Sequence, residues 1–333
     1  MKFRPTLRAA QIVGAAIMLF AVTAHADMTF KIATVSPDGT RWMNMMRAAA
    51  KDIKLQTDGR VKLKFYPGGV MGTDSSVMRK IRIGQLHGAA FTGGGLAEAY
   101  PDIAIYGLPM LFSNLAEVDY VRARMDKVFE AGMEDAGFVN FGIAEGGFAM
   151  FMGSKAIMST ANLRDEKAWV PEGDTIAYAA YEALGVSPVA LPLMDVLTGL
   201  QTGLVSTVAA SPLAAVALQW HTRIKYVTDV PMSYVMGILA INKKAFDRVS
   251  PDDQAIVRQV LLPMFDELTL QNRADNEAAR AALIEQGIAF LRPTDDTISE
   301  WRYISSQVFE QKGKEGAFNL DLARKVVSLI EEF

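Results

Sequence analysis

The stretch from Ser250 to Gly287 constrains the fold most. Ser250 can cap a helix, Pro251 suits its first position, and Asp252 and Asp253 complement the positive end of a helix dipole. The apolar spacing then stays helical to Gln286, with Gly287 as the stop. A helix over 251–286 would be ~54 Å long. That exceeds the width of one small domain, so the helix must cross two. Pro263 lies inside it and is expected to bend it, because its ring displaces a backbone hydrogen bond.

The rest of the 333 residues supplies two such domains. Residues 30–35 read as a strand. Thr40 opens a helix with Trp42, Met46, Ala49 and Ile53 on one face. Val61, Leu63 and Phe65 alternate with Lys62 and Lys64, the mark of a half-buried strand. Thr73 and Asp74 cap a second helix, and residues 88–92 form a buried strand. Gly93-Gly94-Gly95 then lets the backbone approach something closely. Asn114 and Glu117 suit a capping box for a helix to about residue 131. Residues 138–144 are a strand, and 144–171 reads as strand, turn and strand, stopped by Pro171. Asp174 caps a further helix ended by Gly185. A second strand-helix-strand pattern spans about 150–230, with strands over 224–228 and 234–242. Two helices, 297–312 and 319–332, end the chain. The fold class is α/β, with mostly parallel sheets. The first domain is expected over 27–146 plus about 233–262, and the second over 147–232 plus about 275–333.

Residues 1–26 differ in kind. Lys2, Arg4 and Arg8 precede an apolar run from Ala9 to Val22, and Ala24-His25-Ala26 supplies a small-x-small cleavage pattern. The run is short for a membrane span, so we read a cleavable signal peptide and a periplasmic mature protein. The formal charge is −3, and the leader carries only basic residues, so nothing points to nucleic acid as a partner.

Enzyme chemistry finds no footing. There is no cysteine, and only His87 and His221 lie beyond the leader, without metal-ligand spacing. No Gly-x-Ser-x-Gly elbow is present, and Gly93-Gly94-Gly95 is followed by Leu96, Ala97 and Glu98, not by a dinucleotide-loop glycine. No metal or cofactor is expected.

Several motifs in order resemble the substrate-binding proteins of TRAP (tripartite ATP-independent periplasmic) transporters. They are Tyr66-Pro67-Gly68-Gly69, Leu108-Pro109-Met110-Leu111-Phe112, Leu200-Gln201-Thr202-Gly203, and Asn242-Lys243-Lys244 ahead of the Ser-Pro-Asp-Asp-Gln helix start. The resemblance covers about residues 29–330. It implies a two-domain periplasmic-binding-protein (Venus flytrap) fold with a long domain-spanning helix. It also implies small and large integral-membrane subunits as partners, driven by an ion gradient. Most relatives hold a carboxylate with two arginines. One lies two residues before the proline of a Lys-x-Arg-x-Pro strand, where this chain has Trp169; the other follows a Gly-Phe pair, where this chain has Ala149. A third polar position, after the Leu-Gln-Thr-Gly turn, falls in Val208-Ala209-Ala210-Ser211.

Those two substitutions set the ligand expectation. A carboxylate entering a closed cleft loses hydration worth several kcal/mol and must regain it from cations or several donors. Trp169 offers one N–H and an apolar face. The expected ligand is therefore uncharged or hydrophobic, lipid-like, held by Trp169, Phe148, Ala149, Met150, Phe91, Thr92, Ala210, Ser211 and Trp220. Glu145 is expected to face the cleft, where it could accept from a hydroxyl or amine, or pair with a cationic ligand stacked on Trp169. Two alternatives stand beside this: an organic acid held by another cation such as Lys225, and a ligand-sensing receptor domain for a signalling partner.

Overall fold

The computed structural model describes residues 27–333; the signal peptide expected over 1–26 lies outside the described residues. The first lobe opens with β1 (Met28–Thr34), α1 (Arg41–Gln56), β2 (Val61–Tyr66), α2 (Asp74–Arg82) and β3 (Gly88–Thr92), with β1 parallel to both β2 and β3. Helix α1 forms where expected: the Thr40 hydroxyl accepts from the Met43 N–H, and Met43, Met46, Ala49 and Ile53 bury at helical spacing. The one-turn α3 (Gly93–Leu96) follows β3 directly. Helix α4 (Leu115–Asp135) has its capping box, with Asn114 Oδ1 accepting from the Glu117 N–H and the Glu117 carboxylate accepting from the Ser113 N–H.

The strand, turn and strand read over 144–171 do form: β4 (Phe138–Gly153) is one strand of 16 residues that carries the 138–144 strand onward, and a strand over Trp169–Pro171 follows the connecting segment. The glycines of β4 support bulges: the register shifts between Asn140 and Ile143 and again between Glu145 and Gly147. Gly142 (φ 140°) and Gly147 (φ 87°) hold positive φ there, and a Cβ on Gly147 would stand 2.7 Å from Asn276 Nδ2.

The second lobe adds α5 (Thr160–Arg164), β5 (Trp169–Pro171), α6 (Thr175–Ala183), β6 (Val189–Leu191), α7 (Val196–Thr202), β7 (Thr207–Ala210), α8 (Pro212–Ala217) and β8 (Tyr226–Thr228). The chain returns through β9 (Ser233–Asn242) and α9 (Lys243–Phe246), enters the long α10 (Pro251–Glu285), and ends with β10 (Ala289–Leu291), α11 (Asp295–Lys314) and α12 (Leu320–Glu332). The strands run in the order β10-β8-β4-β9-β3-β1-β2, with β7 also on β4; β5 and β6 form a separate parallel pair. β4 joins the two halves. Most of its length pairs antiparallel with β9, and its last residues pair with β7 and β8.

Helix α10 runs through Pro263 as one 35-residue element. Val257, Leu261, Phe265 and Leu268 pack in a first-lobe core with Phe30, Met46 and Phe141. Leu283, near its other end, packs in a second-lobe core with Trp169 and Trp220. Between them α10 is tied to β4: Asn272 Nδ2 donates to Glu145 O at 2.7 Å and Asn276 Nδ2 to Gly146 O at 3.2 Å. Asn276 Oδ1 also accepts from Leu213 N of the second lobe, at 3.1 Å. Sequence order suggested that the C-terminal segment stays with the second lobe. Helix α11 does pack on α6, but α12 returns to the first lobe, placing Ala323 and Val326 in the cluster of Val118 and Val121 on α4. An apolar stripe shows that a helix packs, not on which neighbour.

Candidate functional site

A cavity of about 590 Å³ lies between the lobes. Thr92, Gly93, Gly94 and Gly95 line it from the first lobe, so the three-glycine turn does bring backbone to the site. Trp169, Tyr181, Ala210 and Trp220 line it from the second. The lobes touch at its edge, where a Cβ on Gly69 would stand 2.8 Å from Met194 Cγ.

Trp169 is 4 % exposed. Its Nε1–H donates to Leu191 O at 3.0 Å, across the β5–β6 pair, and its ring meets Trp220 edge-to-face with centroids 5.2 Å apart. The indole therefore walls the cavity with carbon while its one donor is used inside the lobe. Ala149 on β4 is buried and lines the same cavity, where its methyl offers no polar group.

Of the residues nominated from sequence, Thr92, Ala149, Trp169, Ala210, Ser211 and Trp220 line the cavity; Phe91, Glu145, Phe148 and Met150 do not. Strand alternation explains three of the four. Successive side chains on a strand face opposite ways. With Thr92 at the cavity, Phe91 turns into the first-lobe core. With Ala149 and Phe151 at the cavity, Phe148 packs on Tyr234 and Met150 joins the second-lobe core. Glu145 fails for another reason. It is 1 % exposed and faces α10, where Arg273 Nε and Nη2 donate to its Oε2 at 3.0 and 2.7 Å. Arg273 also binds Asp119, and the Tyr234 hydroxyl reaches the same Glu145 oxygen at 3.4 Å. The partner lies 128 residues away along the chain, beyond any local pattern. Lys225, the alternative cation, is exposed and does not line the cavity.

Among the described residues, no lysine, arginine or histidine lines the cavity. Its charged residues are all acidic: Asp74 on the first lobe and Glu172, Asp174 and Asp195 on the second. The sequence marks Asp74 and Asp174 only as helix caps. Asp174 fills that role, its Oδ1 accepting from the Ala177 N–H at 2.9 Å, whereas α2 is capped by Thr73 and Asp74 is its first residue. Burial pushes the Asp174 carboxyl up, against the backbone N–H groups that bind its charged form.

Burial likewise raises Asp74, to about 6; the Thr92 hydroxyl opposes the shift and Glu98 adds to it. A carboxyl that holds its proton more tightly when folded favours folding at low pH. That contribution is lost as pH rises through about 6. Asp74→Asn in the ligand-free protein should therefore change stability little at pH 4. It should stabilise at pH 8 by about 1–3 kcal/mol, the lower end reflecting the favourable place of a charge in the first turn of α2. Urea denaturation at the two pH values measures this, and a gain independent of pH would contradict it.

Two lobes joined by β4 and spanned by one helix, closed over an interior cavity, define an extracytoplasmic solute receptor. Residues 32–315 match bacterial extracellular solute-binding protein family 7, and the chain belongs to that family. It is 23% identical over 278 residues to the ectoine/5-hydroxyectoine-binding periplasmic protein UehA of Ruegeria pomeroyi, covering 80% of this chain and 81% of that one. It is 24% identical over 215 residues to YiiZ of Salmonella typhimurium, covering 63% of this chain and 65% of YiiZ. The fold matches the TRAP periplasmic solute-binding protein of Ralstonia eutropha H16 with bound (S)-2-acetolactate, with a TM-score of 0.84 at 22% identity, covering 92% of this chain and 99% of that one. The family and its structural relatives are binding proteins, not enzymes.

Proposed function

We propose that this chain is the periplasmic receptor of a TRAP-type secondary transporter. It delivers a small, uncharged or hydrophobic, lipid-like ligand to small and large integral-membrane subunits by closure of its lobes. An N-terminal signal peptide would export it, and no described helix is long and apolar enough to cross a membrane. The observation that carries the ligand class is that no basic side chain among the described residues lines the cavity. UehA is named for ectoine and the R. eutropha protein holds a carboxylate. A carboxylate placed in this cavity would meet Asp74 and Asp174 with no cation to offset them, and its desolvation would cost several kcal/mol. Phe151, Trp169 and Trp220 offer apolar surface in its place.

Titration calorimetry of the purified protein with succinate, malate and acetolactate tests the reading. The expected result is no binding up to millimolar concentration. Micromolar binding of any of the three would overturn it.

A further inference from the structure

We propose that the ligand's polar end is an ammonium group, received between the carboxylates of Asp74 and Asp174, one from each lobe. This rests on the reading that the cavity excludes carboxylates, and it narrows "hydrophobic" to an amphiphile with a cationic head.

The three acids buried among the described residues each have a cation: Glu145 has Arg273, Glu166 has Lys155, and Asp253 has Arg60. Asp74 and Asp174 form no ion pair among the described residues, although burial disfavours the charge of both. A charge withdrawn from water without a partner is costly, and sites of ligand binding are where such groups persist.

Geometry brings the two together. A Cβ built on Gly94 would stand 3.7 Å from Asp174 Oδ2, and one built on the adjacent Gly95 would collide with Asp74 Oδ2. Two consecutive residues of the same turn thus each abut a carboxylate from a different lobe. Asp174 uses Oδ1 to cap α6, which leaves Oδ2 as the oxygen facing Gly94. The only side-chain hydrogen bond of Asp74 among the described residues comes from the Thr92 hydroxyl, at 3.3 Å. A third group supports a polar guest. Tyr181 is 6 % exposed and lines the same cavity, and its hydroxyl has no hydrogen-bond partner.

Helix ends oppose the proposal in part. Asp74 and Asp174 both sit at helix N-termini, which favour negative charge. Each end supplies about half a positive charge, so two full carboxylates are not neutralised. Glu172 and Asp195, both exposed, add to the negative potential. An ammonium group provides the missing charge and donors, and the Trp169 and Trp220 rings accept an apolar body beside it.

The test uses three probes that share one chain and differ at the polar end: octylammonium, octanol and octanoate, titrated into the full exported chain. Octylammonium should bind tightest and octanoate not at all. Asp74→Asn and Asp174→Asn should each weaken octylammonium by about tenfold and octanol by less than about twofold. Asparagine also caps helices, so both variants should keep their fold, which melting curves check; if one does not fold, the other carries the test. Octanol binding as tightly as octylammonium, or octylammonium insensitive to the substitutions, overturns the inference and leaves carboxylate exclusion standing. Octanoate binding tightest overturns both. No binding of any of the three overturns the inference alone.

Discussion

Arg273→Met should destabilise the protein by about 2–4 kcal/mol in urea at neutral pH. The substitution leaves Glu145, 1 % exposed, with a buried charge and only the Tyr234 hydroxyl at 3.4 Å to answer it. Breaking a fully buried pair costs ~3–5 kcal/mol. The Arg273 side chain is 26% exposed, so water offsets part of that loss. Glu145→Gln should cost less, about 1–2 kcal/mol, because a neutral amide needs no counter-charge. Combining it with Arg273→Met should recover part of the loss, since the orphaned charge is then gone. A loss below about 1 kcal/mol for Arg273→Met would show that the carboxylate relaxes to another partner.

Trp169→Ala should cost about 3–5 kcal/mol, and Trp169→Phe about half as much. The alanine variant loses the edge-to-face contact with Trp220 and leaves Leu191 O without its donor. It also opens one wall of the cavity. Octylammonium and octanol affinities should fall together, by about tenfold or more, because the ring acts on the apolar body they share. Asp174→Asn should separate them. Thermal melts and titrations on the same preparations read both effects, and wild-type affinity in Trp169→Ala would place the ligand away from the indole.

Much of the fold is written locally. Thr40, Thr73, Asn114, Asp174 and Ser250 all cap the helices their positions suggest, because a cap is a contact within one turn. The long helix is legible for the same reason. What the sequence hides is contact at a distance. The bulges at Gly142 and Gly147 are of this kind, since they are defined only by the pairing of β4 with β9. The site divides similarly. Trp169 and Ala149 were found by the positions they occupy in a family pattern. Phe91, Phe148 and Met150 were nominated by closeness along the chain, and strand alternation sent them the other way. Glu145 was visible as an acid but Arg273 was not visible as its partner. Asp174 reads from sequence as a helix cap alone, yet one carboxylate can cap a helix with one oxygen and present the other to the cavity.

The double residence of α10 limits how the receptor can move. Leu261 and Phe265 are anchored on one side and Leu283 on the other, so the lobes cannot separate as two bodies on slack strings. A change in the angle between the lobes would therefore have to act on this shared rod as well as on β4. Pro263, which lacks an N–H for the helical ladder, lies inside the first-lobe clamp between Leu261 and Phe265, so the span left between the clamps runs from Leu268 to Leu283 and carries the Asn272 and Asn276 ties. The receptor is in effect a leaf spring clamped at both ends. Glu145 and Arg273 tie its middle to β4.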